Sequence, residues 1–417
     1  MTHHYRPRAL EPILRARLAT FPVVVITGAR QTGKSTLARE LGGEERTYLT
    51  LDDYAVLDQA QNAPDTLVSR GAFSSGFDIG PSLTLDEIQR APDLLLAIKR
   101  AVDSDRTPGR FLLTGSANLD LMRGVSETLA GRAVYLTLWP MTRREAEGKG
   151  RAGSWDVLVD DPPRRWLGAL ADTAPAGRSR WQELAIRGGY PFPALHLGSQ
   201  PDREAWFEGY LRTYLERDLR QLAAIDNLVA FQRLVRAVAH RSGGLMNQAR
   251  LARDAGLPPT TAQRYLHLLE TSYQLLRVEP YTVNRNKRLV KSPRLYWCDP
   301  GLALHLAGGA EPGGAHLENL IACDLFAWRE TRPRRPNILF WRTSKGAEVD
   351  FVVETPQRLI PVEVKSSRAV RLSDARHLEM FIAEYPDQAR AGVLLYAGRE
   401  TYWLNERILA VPWYAII

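Results

Sequence analysis

The stretch that decides the fold is residues 28–35, Gly28-Ala29-Arg30-Gln31-Thr32-Gly33-Lys34-Ser35. It matches the phosphate-loop pattern G-x-x-x-x-G-K-[ST] at every defined position. The apolar residues 23–27 before it predict a buried strand, and residues 36–41 after it predict a helix. A strand, a glycine loop and a helix in this order point backbone N–H groups at a triphosphate. We therefore predict that residues 28–35 and Thr36 bind a nucleotide, rather than forming a simple strand-to-helix turn.

The site needs a cation for the phosphates, a magnesium ligand and a carboxylate partner. Lys34 is expected to reach the β- and γ-phosphates of ATP, and the Ser35 hydroxyl is expected to hold Mg²⁺. Residues 82–87, Ser-Leu-Thr-Leu-Asp-Glu, predict a second apolar strand that ends in carboxylates. Asp86 is expected to bind Mg²⁺ through water, and Glu87 to orient or activate the attacking water. By itself the acidic pair could be the first turn of a helix, but behind a phosphate loop we interpret it as catalytic.

A third strand, residues 110–114, ends in a polar stretch. A polar residue at this strand end commonly senses the γ-phosphate in such ATPases. Thr114, Ser116 and Asn118 are all candidates, and their spacing does not choose among them. We include Ser116 in the predicted nucleotide site.

These residues resemble those of an AAA+ ATPase. The resemblance extends to Leu-Asp-Glu-Ile-Gln-Arg at 85–90, Leu-Thr-Gly-Ser at 113–116, Leu-Ala-Gly-Arg at 129–132 and Leu-Trp-Pro-Met at 138–141. It looks like the bacterial and archaeal group that carries a C-terminal domain of unknown function. Arg132 lies where that group has a Gly-Arg pair, so the resemblance implies a contact with the γ-phosphate, in cis or across a subunit interface. A surface arginine is the alternative. We expect a homo-oligomer, with a hexameric ring among the candidate forms.

Composition narrows the class of protein. The chain has 417 residues, of which 45% are apolar and 24% charged, so we expect two or three globular domains. No run of about 18 apolar residues predicts a membrane span, and the first eight residues lack the apolar core of a signal peptide. Cys298 and Cys323 form no metal-binding pattern, and two isolated thiols favour a reducing compartment. We expect a cytoplasmic protein without a membrane partner, associated with the nucleoid if it binds DNA.

The net charge of +8 is concentrated in one region. Residues 241–294 contain ten Lys and Arg against three acids, and ten minus three gives +7. Localised positive charge is typical of a surface that binds a polyanion. An ordinary solvated surface is the alternative.

Residues 247–291 predict a winged helix. A helix over 247–255, a turn at 257–259 and a helix from Thr260 to about residue 273 follow the helix-turn-helix order, with Thr260 and Gln263 as a predicted capping box. A hairpin is predicted over 275–289, with a basic tip. Phosphate contacts would make DNA binding sensitive to salt, and a protein-docking or subunit-packing module is the alternative. The residues expected to contact DNA are Thr261, Arg264, His267, Arg285, Lys287 and Arg288.

A second set of charged residues lies near the C-terminus. Asp350 lies in the predicted strand 348–353, and Glu363 and Lys365 share one face of the next predicted strand, 360–365. This is the D…E-x-K arrangement of PD-(D/E)XK nucleases. Asp350, Glu363 and Glu318 are expected to bind one or two Mg²⁺ ions, and Lys365 to position the attacking water or steady the developing charge. Such a domain can also serve only to bind DNA or to pack, since a fold does not determine a function.

The predicted fold class is α/β with four regions. Residues 1–145 form an AAA+ P-loop ATPase domain, 146–240 a linker and helical region, 241–300 a winged helix-turn-helix, and 301–417 a PD-(D/E)XK nuclease-like domain. The predicted function is Mg²⁺-dependent ATP hydrolysis that drives DNA processing, such as remodelling, branch migration, unwinding or repair, with a metal-dependent nuclease as a further activity. The alternatives are an ATP-dependent signalling switch and a DNA-binding regulator, or toxin–antitoxin-linked factor, whose ATPase is ancillary.

Overall fold

The computed structural model describes residues 5–42, 46–69, 82–115, 128–171, 180–213, 225, 227–283, 292–309 and 311–417. Two sheets organise these residues, one in the N-terminal region and one in the C-terminal half. Among the described residues, no helix has the length and apolar character needed to cross a membrane.

The first sheet has five strands in the order β2-β3-β4-β1-β5, and every neighbouring pair is parallel. The strands are β1 (Val23–Thr27), β2 (Arg46–Thr50), β3 (Ser82–Asp86), β4 (Phe111–Thr114) and β5 (Ala133–Thr137). The helices around it are α1 (Glu11–Leu18), α2 (Lys34–Glu40), α3 (Tyr54–Asn62), α4 (Pro64–Val68) and α5 (Leu94–Ser104). All five residues of β1 are buried, as expected for the β-branched centre of a parallel sheet covered on both faces. Because the strands are parallel, the C-terminal ends of β1, β3 and β4 lie at the same edge of the sheet.

Short helices follow the first sheet and form the middle of the molecule. They are α6 (Arg143–Ala146), α7 (Trp155–Asp160), α8 (Pro163–Ala171), α9 (Trp181–Arg187), α10 (Pro191–His196), α11 (Gln200–Tyr210) and α12 (Leu228–Ala239). Their apolar faces contribute to a core that continues into the C-terminal half and includes Trp155, Trp166, Trp297 and Trp328.

The two helices predicted on either side of the turn at 257–259 are present as α13 (Gln248–Ala255) and α14 (Pro259–Thr271). Asn247 caps α13 by accepting a hydrogen bond from the Arg250 N–H, and Gly256, with a φ of 68°, ends the helix. The predicted capping box at Thr260 is wrong. Proline at the first helical position starts α14 one residue earlier, so Thr260 lies inside the helix.

The second sheet has eight strands in the order β12-β13-β11-β10-β9-β8-β6-β7. Its strands are β6 (Leu275–Pro280), β7 (Arg294–Trp297), β8 (Asn337–Arg342), β9 (Glu348–Glu354), β10 (Leu359–Lys365), β11 (Gly392–Tyr396), β12 (Tyr402–Trp403) and β13 (Ile408–Pro412). The accompanying helices are α15 (Pro300–Leu306), α16 (Gly314–Thr331), α17 (Arg376–Glu384) and α18 (Trp413–Ile416). From α16 to β11 the elements follow the expected α-β-β-β-α-β order.

The hairpin that follows the helix-turn-helix belongs to this second sheet. Strands β6 and β7 pair antiparallel, and β6 also pairs parallel with β8. The second strand of this hairpin starts at Arg294, whereas the prediction placed the whole hairpin within residues 275–289. The predicted basic tip lies outside the described residues. One sheet therefore crosses the boundary predicted at 300/301.

Three stretches that are far apart in the sequence meet at one junction. The Met141 N–H donates to the carbonyl of Gly189 at 2.6 Å. The buried Asp299 carboxylate accepts from the N–H groups of Gly189 and Leu302 at 2.5 and 2.8 Å. A Cβ at Gly188, whose φ is 68°, would lie 2.5 Å from the same carboxylate. These contacts join the N-terminal region to the rest of the chain, which gives these residues a structural role.

Candidate functional site

The backbone of residues 28–33 follows the tightly curved path of a phosphate loop. Gly28, Gln31 and Gly33 have φ values of 142°, 61° and 93°. A Cβ at Gly28 would lie 2.3 Å from the carbonyl oxygen of Leu138, so only glycine fits there. Gln31 is not glycine, and a positive φ at such a residue is a strained conformation typical of functional sites. Helix α2 starts at Lys34 directly behind the loop, which directs its free N–H groups towards the loop.

The Lys34 ammonium group is buried inside the loop. It donates to the carbonyls of Gly28 and Ala29 at 3.1 and 2.7 Å. Burial lowers the Lys34 pKa to about 8, Arg30 adds to that effect, and the carboxylates of Glu87 and Asp86 oppose it. A buried cation held only by carbonyl dipoles is poorly compensated. A bound phosphate would supply the missing negative charge, so this part of the loop fits a nucleotide.

Asp86 lies at the centre of a hydrogen-bonded group beside the loop. One carboxylate oxygen accepts from the Ser35 hydroxyl at 3.0 Å and also from the Thr114 hydroxyl. The other accepts from the Tyr48 hydroxyl at 2.7 Å. The sheet order explains the assembly, because β3 lies between β2 and β4 and the phosphate loop follows the adjacent β1. Ser35 and Asp86 are thus brought together as a predicted magnesium pair.

The structure also distinguishes among the three candidate γ-phosphate sensors at the end of β4. Thr114 is buried and contacts Asp86, whereas Ser116 and Asn118 lie outside the described residues. Within the loop, Thr32 donates its hydroxyl to the Ala29 carbonyl at 3.0 Å, and Thr36 is exposed on α2.

Glu87 directly follows the strand end that carries Asp86. Its backbone is left-handed, with φ 59° and ψ 42°, and its side chain accepts a hydrogen bond from the Gln89 amide. The left-handed turn ends β3 and starts a 3-10 turn over Ile88–Arg90. This turn carries Glu87 beyond the strand, on the side of the sheet edge where the phosphate loop lies, as a water-orienting carboxylate requires.

Arg8 is a residue of this site that the sequence did not indicate. Its buried guanidinium donates to the Thr32 carbonyl of the loop at 2.7 Å and to the Trp139 carbonyl at 2.7 Å. It also forms a buried ion pair with Glu145 at 3.0 Å. Glu145 in turn accepts from the Thr142 N–H at the start of α6. The phosphate loop is therefore fixed to α6 through a side chain that is 137 residues from Glu145 along the chain.

Helix α6 continues this connection to the C-terminal end of the chain. The Arg143 guanidinium donates to the carbonyl oxygen of Ile417 at 2.9 Å, and Arg144 donates to that of Ala415 at 3.0 Å. Both arginines are buried. A sequence pattern of charged residues over 143–145 would favour a solvated helix face, and only the packing of α18 against α6 buries it.

Arg132 is not placed beside the phosphate loop. It directly precedes β5, whose first residue pairs with Val23 at the start of β1, whereas the loop follows the other end of β1. Its guanidinium pairs with Asp103 at 2.6 Å. A contact with the nucleotide bound by its own chain is therefore wrong, because the sheet separates the two, and a role across a subunit interface stays a prediction.

The predicted DNA-contacting face is described in part. Arg264 and His267 are exposed on α14 and line an open groove of about 910 Å³, together with Gln248, Gln263 and Arg277. Thr261 is half-buried and does not line this groove. Arg285, Lys287 and Arg288 lie outside the described residues.

Part of the basic charge in this region is internally neutralised. Arg241 pairs with Asp254, and Arg277 pairs with Glu270 and Glu279. Arg294 is buried and pairs with Glu348 and Asp350. Asp254, Glu270 and Glu279 are already subtracted in the sequence count of +7, so only the burial of Arg294 against Glu348 and Asp350 lowers the charge that the described surface presents.

The C-terminal carboxylates form a buried cluster. Asp350 on β9 accepts from the Val364 N–H of β10 at 2.9 Å, and Lys365 donates to Glu363 at 2.7 Å. Burial, with Asp350 adding to it, raises the pKa of Glu318 to about 8 and that of Glu363 to about 7. The structure thus brings the predicted residues together. It adds Arg294, whose guanidinium lies 3.3 Å from Asp350. As the cluster stands, no three potential metal ligands among the described residues are arranged to hold an ion.

Comparisons with known proteins bear on both halves of the chain. Residues 20–147 match the family described as AAA domain. Residues 178–312 and 313–416 match families described as Domain of unknown function (DUF8612) and Domain of unknown function (DUF4143). The chain is 33% identical over 413 residues to "Uncharacterized protein Rv2008c" of Mycobacterium tuberculosis, covering 96% of this chain and 82% of that protein. The match to "Uncharacterized protein Mb2031c" of Mycobacterium bovis has the same values.

This chain is an AAA-type P-loop ATPase and belongs to the family of these two mycobacterial proteins. Among solved structures, the ATPase is similar to "The walker-type atpase paby2304 of pyrococcus abyssi", with 18% identity and a TM-score of 0.42, covering 73% of this chain and 99% of that one. It is also similar to DnaA from Aquifex aeolicus bound to AMPPCP, with 15% identity and a TM-score of 0.24, covering 63% of this chain and 85% of that one.

Proposed function

We propose that this ATPase couples Mg²⁺-dependent ATP hydrolysis to the binding and processing of DNA. The observation that carries the proposal is the continuity of three parts. The phosphate loop contacts Arg8, Arg8 contacts α6, and α6 contacts the C-terminal end of the chain. The helix-turn-helix shares its hairpin with the same C-terminal sheet. A change at the loop therefore has a physical route to the predicted DNA surface.

The chain's own residues have distinct roles in the proposed hydrolysis. Ser35 and Asp86 would hold Mg²⁺, which supplies charge neutralisation for the phosphates when bound. Lys34 would donate to the phosphates in place of the loop carbonyls that it now contacts. Glu87 would orient the attacking water, and its carboxylate accepts a hydrogen bond from the Gln89 amide. Thr114 and Tyr48 would fix the orientation of Asp86.

The DNA part of the proposal rests on α13, α14 and the hairpin. These elements have the order of a winged helix, and exposed Arg264 and His267 line a groove large enough for a polar ligand. Arg and Lys contacts to phosphates would provide most of the affinity and make it sensitive to salt. The tip residues Arg285, Lys287 and Arg288 are proposed as further contacts.

The test is steady-state ATP turnover without DNA and with single-stranded, duplex and four-way-junction DNA. Each is measured at about 50 mM and about 200 mM salt, where phosphate-dominated binding differs strongly. We expect stimulation that fades with salt and is reduced in Arg264→Gln. Arg15→Gln is the matched control, because Arg15 is an exposed arginine on α1 that pairs with Glu11. ATP turnover that is the same without DNA and with each of the three DNA forms would contradict the proposal.

A signalling switch is the second candidate function. It is favoured by the burial of Arg294 against Glu348 and Asp350, which leaves the described surface of this region less basic than its sequence count. In that case the groove would dock a protein, and hydrolysis would be slow and indifferent to DNA. The same turnover experiment separates the two functions.

We also propose a PD-(D/E)XK nuclease-like role for the second sheet. The α-β-β-β-α-β order and the grouping of Asp350, Glu363 and Lys365 support it. The expected activity is nicking of DNA with Mg²⁺ or Mn²⁺. Lys365→Ala should lose the nicking and keep ATP turnover, and nicking that survives this change would come from another source.

A further inference from the structure

The carboxylate cluster of the second sheet already contains a cation, the guanidinium of Arg294. This side chain is 4% exposed and lies between two carboxylates of β9. One nitrogen is 3.3 Å from Asp350, and another contacts Glu348. A third contact, at 3.4 Å, is to the hydroxyl of Tyr296, which also lies 3.5 Å from Glu318. Arg294 thus bridges, directly or through Tyr296, two of the three residues predicted to bind metal.

The cluster still contains buried polar atoms without a hydrogen-bond partner. Its carboxyl groups are those of Glu318, Glu348, Asp350 and Glu363, and the cations around them are Arg294, Arg342 and Lys365. One oxygen of Glu363, a residue only 5% exposed, has no hydrogen-bond partner in the cluster, and neither has the Nε of Arg294. An unpaired buried carboxylate oxygen is costly, so a further cation beside Glu363 would stabilise the cluster.

We propose that Arg294 is a built-in counter-ion that closes this cluster to divalent cations. A metal ion would bind Asp350, Glu363 and Glu318 only when the guanidinium is displaced. This inference rests on the nuclease-like part of the proposed function and requires neither DNA binding nor ATP hydrolysis. It explains why the carboxylates of a metal site are present while no three of them are arranged around an ion.

The position of Arg294 indicates what would displace it. Its guanidinium stays protonated at any physiological pH, so only movement or competition can remove it. Arg294 is the first residue of β7, and its backbone pairs with Val278 of β6 and with Leu245. The adjacent Pro293 accepts from the Met246 N–H at 2.8 Å, just before α13. A shift of the helix-turn-helix would therefore move Arg294 relative to β9.

The test is Mn²⁺ binding to the full chain without nucleotide, measured by the loss of free Mn²⁺ signal in electron paramagnetic resonance. Wild type is compared with Arg294→Met, which keeps the buried length of the side chain and removes its charge. We expect Arg294→Met to bind one Mn²⁺ at least about tenfold more tightly. Arg294→Met combined with Glu363→Gln should return to the weak binding of wild type. ATP turnover of each variant checks that the chain is folded.

Two outcomes would overturn the inference. One is Mn²⁺ binding that is equal or weaker in Arg294→Met. The other, which needs no folded variant at position 294, is tight Mn²⁺ binding by wild type that Glu363→Gln removes. A third measurement uses Arg294→Ala with added methylguanidinium, which should weaken Mn²⁺ binding where the same concentration of sodium chloride does not. These Mn²⁺ measurements use no DNA, so they test the inference even when DNA fails to stimulate ATP turnover.

Discussion

Replacing Arg8 by methionine tests the link between the phosphate loop and the rest of the molecule. Methionine keeps most of the volume of the side chain but removes its charge and its donors. The change deletes hydrogen bonds to Glu145, Thr32 and Trp139. It also leaves the Glu145 carboxylate, whose side chain is 3% exposed, without its cation.

The expected cost follows from this burial. Removing one partner of a buried ion pair typically costs about 3–5 kcal/mol, because an uncompensated charge stays behind. Glu145 keeps hydrogen bonds from the N–H groups of Ala9 and Thr142, so we expect the lower end, about 3 kcal/mol. The Thr32 carbonyl also loses its donor, which frees the loop. ATP affinity should therefore fall, with a smaller effect on turnover at saturating ATP.

The assay is urea unfolding combined with nucleotide titration, in a double-mutant cycle with Glu145→Gln. The double variant should lose clearly less stability than the sum of the single changes, because no charge is then left buried alone. Arg15→Met is the matched control. Arg15 and Glu11 form an exposed pair on α1, and breaking it should cost under about 0.5 kcal/mol. Strict additivity in the cycle, or equal losses for Arg8→Met and Arg15→Met, would refute the reasoning.

Three further predictions concern single side chains. Lys34→Ala should lower ATP turnover about 100-fold or more, because the Lys34 ammonium group is the buried positive charge of the loop; turnover within a few-fold of wild type would contradict the role of this loop. Tyr48→Phe removes one of three donors to Asp86 and should raise the Mg²⁺ concentration for half-maximal turnover about tenfold, whereas an unchanged Mg²⁺ titration would show that Tyr48 is only structural. Burial raises the Asp324 pKa from 3.8 to about 6, so the folded state binds a proton more tightly than the unfolded state. Stability should therefore fall by about 3 kcal/mol as pH rises from about 3 to about 7, and Asp324→Asn, which keeps the oxygen that accepts from Gly153 and Trp155, should remove this dependence in urea unfolding at a series of pH values.

The sequence by itself determined the features that depend on local backbone chemistry. The phosphate loop, the buried strand before it and the helix after it follow from neighbouring residues, because glycines, β-branched residues and helix formers act over a few positions. The same holds for α13 and its Gly256 end. It also holds for the strand that places Glu363 and Lys365 on one face, since side chains alternate along a strand. The capping box at Thr260 failed at this same local level, because Pro259 starts the helix earlier.

Only the tertiary structure decided which distant residues meet. The strand order brings Tyr48 and Thr114 to Asp86, and it leaves Arg132 at the opposite edge of the sheet from the loop. Arg8 reaches Glu145, and Arg294 enters the cluster that the D…E-x-K spacing predicted. None of these contacts has a sequence signature, because each joins residues that are tens to more than a hundred positions apart. Burial then sets their chemistry, since the same charged side chain is solvated in an extended chain and strongly coupled inside a packed core.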